Sequence, residues 1–223
     1  MTIGTPVQLG TFGSTSSSST AALTTTANSP LGATIVAMFS TNMVLTLSSV
    51  TDSAGNTYTV GPTIQSGAGA TCAIAYCVNA KALGSGGTIT GTWSAAATNR
   101  GVTAYSVTGI ASVDVVGAGV FSASSVTSLS MSTGALAQAN EVIFGALCVN
   151  TTAAGAAASG FTVGSYNATN DDIVPFWQIV SSTASVTFNP TWTNSHNAAA
   201  NLVTFKGVPD TYDPRVRLAY LDF

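Results

Sequence analysis

Residues 87–110, "GTITGTWSAAATNRGVTAYSVTGI", can be laid on residues 184–208, "ASVTFNPTWTNSHNAAANLVTFKGV", and this overlay decides the fold. It places Trp93 with Trp192, Ile89 with Phe188 and Gly109 with Gly207. The tryptophans are 99 residues apart and the glycines 98, so a one-residue gap between them reconciles the two copies. Within the first copy Ile89 and Trp93 alternate with Thr88, Thr90 and Thr92. Successive side chains of a strand point to opposite faces, so this period of two describes a strand with one apolar and one wet face.

Outward from this pair the correspondence continues in the same order. "LTTTANSPLGATIVAMFS" lies against "LSMSTGALAQANEVIFGALC", "NTYTVG" against "SGFTVG" and "CAIAYCVNA" against "IVPFWQIVSS". The chain therefore reads as two related halves, about 5–110 and 111–208, each of about seven short strands. Runs of β-branched and aromatic residues alternate with Gly, Ser, Asn and Asp clusters, and helical periodicity is nearly absent. The expected fold is all-β, an antiparallel sandwich of jelly-roll-like type. Two arrangements satisfy it: each half closes a small sandwich, or both halves feed one continuous pair of sheets. No Pro, charge run or polar linker separates "VTGI" from "ASVDVVGAGVF", which favours one unit spanning residues 1–208 with a shared or tightly abutting core.

Some strands are apolar on both faces, namely "ATIVAMF" (33–39) and "EVIFGALCV" (141–149), as expected of strands covered on each side. "VTDSAGNTYTV" supplies turn chemistry through Asp52, Ser53, Gly55 and Asn56 and predicts a hairpin or tight connection. "TTAAGAAASG" (151–160) reads as a loop, because two glycines and the lack of an amphipathic pattern oppose a helix.

Composition bounds the function. Charged residues make up 6% of the 223 residues, against about 25% in an average soluble domain. Five cations cannot form the basic stripe that nucleic acid requires, and anionic membrane surfaces are disfavoured for the same reason. Mean hydropathy is +0.41, yet the longest apolar stretch (32–50) is interrupted after eight residues by Ser40, Thr41 and Asn42. A spanning helix needs about 20. "MTIGTPVQLGTFG" has neither a basic nor an apolar region of a secretory signal. Cys72 and Cys77 have opposite parity and lie roughly 16 Å apart along a strand, too far for a disulfide. With Cys148 they are expected to be buried free thiols, consistent with assembly in a reducing compartment.

The strand grammar "VTDSAGNTYTV", "AIAYCVNAKALGSGGTITGTWS", "VTAYSVTGI", "ALAQANEVIFGAL", "WQIVSSTASVTFNPTW" and "NLVTFKGV" resembles a β-sandwich module recurring in tailed-phage virion proteins and in bacterial surface or secreted proteins. The resemblance covers about residues 30–208. It implies a structural or adhesive role in a virion, with a bacterial cell surface as the alternative location, and it carries no catalytic residues. It also implies an acidic residue where this chain has Ala104.

No catalytic, cofactor or metal site is expected. His196 lies in "TNSHNAAAN", read as a polar loop between strands, and no nucleophile elbow accompanies it. Glu141 is the only Glu, and the adjacent Asp171 and Asp172 occupy a loop rather than facing each other across a cleft. Trp93 and Trp192 read as core, whereas Trp177 and Tyr166 are the aromatic residues free to contact a glycan. The sharpest anomaly is the end of the chain. Residues 209–223 hold Asp210, Asp213, Arg215, Arg217 and Asp222, which is 5 of the 13 charged side chains. Pro209 and Pro214 disfavour a central strand there. Tyr212, Arg215, Arg217, Leu218, Tyr220, Leu221 and Phe223 are therefore expected to bind a partner as an extended arm, the partners being other virion proteins and further copies of the chain.

Overall fold

The computed structural model describes residues 2–67, 69–150, 153–166 and 173–209. It is all-β and antiparallel, without a helix among the described residues. The first half contains β1 (Val7–Ser14), β2 (Ser18–Thr24), β3 (Thr34–Thr41), β4 (Leu47–Asp52), β5 (Thr59–Gln65), β6 (Thr71–Cys77), β7 (Thr88–Ala97) and β8 (Arg100–Val107). The second contains β9 (Ile110–Val116), β10 (Val120–Ser128), β11 (Met131–Ser132), β12 (Glu141–Val149), β13 (Thr162–Val163), β14 (Ile173–Val180), β15 (Thr187–Phe188) and β16 (Thr191–Gly207).

One large sheet has the order β1-β8-β3-β6-β5, and the other β10-β16-β12-β14-β13 with β9 also paired to β16. The pairings β8–β3–β6–β5 and β16–β12–β14–β13 thus follow the same sequence. Two small sheets, β2-β7-β4 and β11-β15, lie outside these. The expected tight connection at Asp52 joins β4 to β5, which belong to different sheets, so it is a crossing between layers and not a hairpin. Residues 153–160 form no helix.

The layer order follows from strands that are apolar on both faces. β3, β6, β8 and β12 are buried along their whole length. Val36, Met38, Ile74, Tyr76 and Tyr105 point to the centre, where they meet Val142, Phe144, Cys148, Val203 and Phe205 of the second half. Residues of opposite parity, Ile35, Ala37, Phe39, Ala73 and Val102, pack outward on Leu23, Ile89 and Trp93. In the second half Leu147, Val174, Phe176 and Leu202 pack outward on Leu129, Phe188 and Trp192. The result is four layers: two sandwiches back to back with a third core between them, the first of the two arrangements open to the sequence, with tightly abutting cores and not one continuous pair of sheets. Each half supplies its own outer cover because its central strands carry apolar side chains on both faces.

Four rings cross the central layer in a row. Tyr76 meets Phe205 edge-on at 5.4 Å, Phe205 meets Phe144 at 6.2 Å, and Phe144 meets Tyr105 at 5.8 Å. Such offset and edge contacts add about 0.5–1.5 kcal/mol each beyond area burial. Strand order reverses across the layer. At one margin Gln8 of β1 hydrogen-bonds Ser165, just beyond β13. At the other, Gly61 of β5 abuts Val116 of β9, and Asn201 donates to the carbonyl of Pro62 at 3.0 Å. β1 thus lies at the margin of β13, and β5 at the margin of β9 and β16.

One expectation fails locally. "TNSHNAAAN" is not a loop: β16 runs unbroken through it, pairing His196 with Val126 and Ala198 with Ser122. In the first half the corresponding passage between layers breaks at Thr98 and Asn99, where Asn42 bonds the backbone of Asn99. β10 runs alongside with two breaks in register, and Thr193, Asn194 and Ser195 stay in the strand with exposed side chains while His196 and Asn197 are half-buried.

Each outer core closes with a phenylalanine ring against a glycine. A Cβ on Gly91 would lie 2.4 Å from the Phe39 ring, and one on Gly145 would lie 2.6 Å from the Phe188 ring. Both rings are fully buried and have nowhere to move. Gly145→Ala is expected to lose about 1–3 kcal/mol by overpacking, read from the midpoint of urea unfolding.

Candidate functional site

The described chain ends at Pro209, so Tyr212, Arg215, Arg217, Leu218, Tyr220, Leu221 and Phe223 lie outside the described residues, as do Asp171 and Asp172. The root of the C-terminal segment is well defined. Gly207 donates its N–H to the Asn140 carbonyl at 2.8 Å, Val208 donates to the Gly109 carbonyl at 2.8 Å, and Gln138 Nε2 donates to the Gly207 carbonyl at 3.0 Å. A Cβ on Gly207 would lie 2.5 Å from Asn140 Nδ2 and 2.9 Å from Ile3 Cγ1, so only glycine passes here.

Beside this root the fold assembles a group of charges that the sequence scattered. Glu141 opens β12, Asp114 lies on β9 and Lys206 on β16. Glu141 pairs directly with Lys206 across the sheet, and Lys206 Nζ lies 3.6 Å from Asp114 Oδ1. Two successive backbone N–H groups cap the two carboxylates: Ala137 donates to Asp114 Oδ2 at 3.0 Å and Gln138 donates to Glu141 Oε1 at 3.2 Å. Glu141 is fully buried, and its Oε2 has no donor among the described residues. Burial raises the Glu141 carboxyl above its usual range, against hydrogen bonds from Gln138 and Thr204 that lower it, and the neighbouring Asp114 raises it further. The sequence separates Asp114 and Glu141 by 27 positions, and no local pattern links them.

Trp177 and Tyr166 do not form one platform. Trp177 is half-buried, pairs with Phe144 and packs against the central core. Tyr166 is half-buried, packs on the outer core of the second half, and donates its hydroxyl to the Ala153 carbonyl at 3.1 Å. Trp93 and Trp192 are 2% and 4% exposed, and both indole nitrogens lack a hydrogen-bond partner in the described structure. His196 is half-buried on β16, opposite Val126. No group of three or more His, Cys, Asp or Glu is placed to hold a metal ion among the described residues.

Cys72, Cys77 and Cys148 are buried, and none is in a disulfide among the described residues. Cys72 faces the central core and Cys77 the outer one, and burial raises both thiols. Ala104, where the resembling module implies an acid, is fully buried among apolar residues of the first outer core. A carboxylate there would have to be desolvated.

Two further polar centres stand out, of which the sequence marked the Asp52 turn but not Arg100. Arg100 is 5% exposed and has no carboxylate partner among the described residues; its guanidinium donates to the carbonyls of Ala97, Thr20 and Ser16 and to the Ser14 hydroxyl, tying β1, β2, β7 and β8 together. Asp52 Oδ1 accepts from the backbone of Ala54 and Asn56, and Oδ2 accepts from Asn56 Nδ2 at 2.7 Å and from the Tyr58 hydroxyl at 3.0 Å. The spacing Asp52 to Asn56 is the detectable signal for that turn. Arg100 has none, because carbonyls from any residue type can receive it.

An open cavity of about 290 Å³ lies at the seam where β1 meets the segment after β13, lined by Gln8, Gly10, Thr11, Thr26 and Ser165. Its lining is uncharged. Comparison with protein-family models, with curated proteins and with solved structures finds no match to this chain.

Trp177→Ala is expected to cost about 2 kcal/mol of stability through the cavity it leaves in the central core, measured by chemical unfolding.

Proposed function

We propose that the chain is a non-enzymatic structural protein of a phage or phage-like particle, a head or tail decoration or fibre-type component, and that it assembles through sandwich surfaces and a C-terminal arm. The observation that carries this reading is the contrast between body and end. A sandwich with 8 charged residues in 208 positions delivers its last strand to one fixed root, beyond which the other 5 of 13 follow in 15 positions. Large apolar side chains remain exposed on the body, Leu31 at 79% and Phe121 at 56% among them. Coverage by neighbours removes the solubility problem that a surface poor in charge creates for a free monomer.

In this reading Leu218, Tyr220, Leu221 and Phe223 lay apolar side chains on a neighbouring subunit, and Arg215 and Arg217 reach its carboxylates. The chain is then a virion component made in the host cytoplasm, in contact with other virion proteins and with copies of itself. The resemblance in strand grammar supports the same assignment.

A second reading, a carbohydrate-binding or host-adhesion module at a virion or bacterial cell surface, draws support from the uncharged cavity at Gln8, Thr11 and Thr26. Hydroxyl and amide groups without charge suit a neutral glycan. A glycan array on the intact protein separates the two: reproducible binding lost in Thr11→Val supports adhesion, and silence supports the scaffold.

Deleting residues 210–223 is expected to leave thermal unfolding within about 1 °C of the full chain, since Gly207 and Val208 keep their partners, while abolishing incorporation into particles. Normal incorporation of the truncated protein, scored by electron microscopy and particle composition, overturns the arm.

A further inference from the structure

We propose that Glu141 and Asp114 share one proton and that this proton latches the end of the last strand, so that the root of the C-terminal segment opens as pH rises. The geometry carries the inference. Two carboxyl groups from β12 and β9 are drawn to the same place by consecutive amides, Ala137 N–H on Asp114 and Gln138 N–H on Glu141. Each carboxyl thus keeps one oxygen bound to the backbone of a single short segment. Glu141 has zero exposure, and its second oxygen has no hydrogen-bond partner of ordinary geometry among the described residues, although the Thr204 hydroxyl stands beside the carboxyl. A buried carboxylate oxygen without a donor is costly, whereas a protonated one is itself a donor. Asp114 is the acceptor beside it.

The charges on every side agree with one shared proton. From β16, Lys206 faces the pair, and its Nζ lies 3.6 Å from Asp114 Oδ1. Thr204 of the same strand touches Glu141 through its hydroxyl, which also accepts the Val115 N–H at 3.0 Å. From β14 the neighbour of Glu141 is Val180, which is apolar. The remaining charged side chains among the described residues, Asp52, Lys81 and Arg100, are hydrogen-bonded elsewhere. With the proton present, one carboxylate balances one ammonium. Without it, two carboxylates face one ammonium, and one of them is buried with an unfilled oxygen.

The sign follows. A carboxyl that holds its proton more tightly when folded contributes stability below its raised value and loses it as pH climbs through that value. The group that loosens is the one that fixes the chain's exit. Gln138, whose N–H caps Glu141, also donates through Nε2 to the carbonyls of Asn140 at 2.6 Å and Gly207 at 3.0 Å, and Gly207 donates back to Asn140. Loss of the proton therefore acts on the hydrogen bonds at the root. That this would free the segment for partners rests on the arm proposed above; the latch itself does not.

Amide hydrogen exchange on the full-length protein reads the latch without any partner. Corrected for intrinsic rates, protection at Ala137, Gln138, Gly207 and Val208 is expected to fall at least about tenfold between about pH 5 and about pH 9, while amides of β3 stay unchanged. Glu141→Gln places a permanent donor against Asp114 and is expected to keep the protection throughout. Equal protection at both pH values in the wild type, or the same fall in Glu141→Gln, overturns the proposal. Should that variant not fold, carbon-13 titration of the wild-type Glu141 carboxyl decides: a midpoint in the ordinary carboxylate range overturns it. Protection restored at high pH by calcium chloride in the wild type would show that the oxygen takes a cation, and would also overturn the shared proton. Failure here leaves the deletion of residues 210–223 as a separate test of the arm.

Discussion

Burial of the central strands on both faces is the constraint from which the rest of the structure follows. β3 and β12 lie back to back, each with one set of side chains in the central core and the alternate set in an outer core. Such strands have no wet face on which to carry charge. Four layers multiply the number of positions where an ion would have to be desolvated, a cost of several kcal/mol per unpaired ion. The 6% charged composition is the chemical consequence of this layering, and the outer strands meet solvent with Ser, Thr, Asn and Gly instead.

The few ions the body does carry show how narrow the permitted solutions are. Arg100 is buried but surrounded by carbonyls whose own strands end or change layers nearby, so it satisfies groups that the ladder leaves open. Asp52 is enclosed by four donors of its own turn. Glu141 is the exception, since the backbone satisfies only one of its oxygens. Buried polar groups are ordinarily paired, which makes the unmatched member the place where chemistry or conformational change concentrates. Its position beside the exit of the chain connects the interior electrostatics to the part of the molecule proposed to meet partners.

Much of this was legible in the sequence for identifiable reasons. The period-two pattern around Ile89 and Trp93 announced a half-buried strand, and the unbroken apolar runs at 33–39 and 141–149 announced strands covered on both sides. The pairing of Trp93 with Trp192 placed both in outer cores. Other features were not legible. Whether "TNSHNAAAN" is loop or strand depends on β10 lying alongside, and polar residues at the edge of a sheet look the same as polar residues in a turn. Trp177, which the sequence left without a place, is half-buried against the central core that only the docking of the two large sheets creates.

The sequence by itself determined strand chemistry: which faces are apolar, where turns fall, and that charge is sparse in the body and concentrated at the end, with 8 charged residues in the first 208 positions and 5 in the last 15. These are local properties, set by side-chain alternation and turn residues. The tertiary structure alone decided that the sheets stack into four layers. It also decided that Asp114, Glu141 and Lys206 meet at the root of the C-terminal segment. Both depend on which faces find each other across the chain, and a contact between residues 27 or 92 positions apart leaves no periodic trace in the order of amino acids.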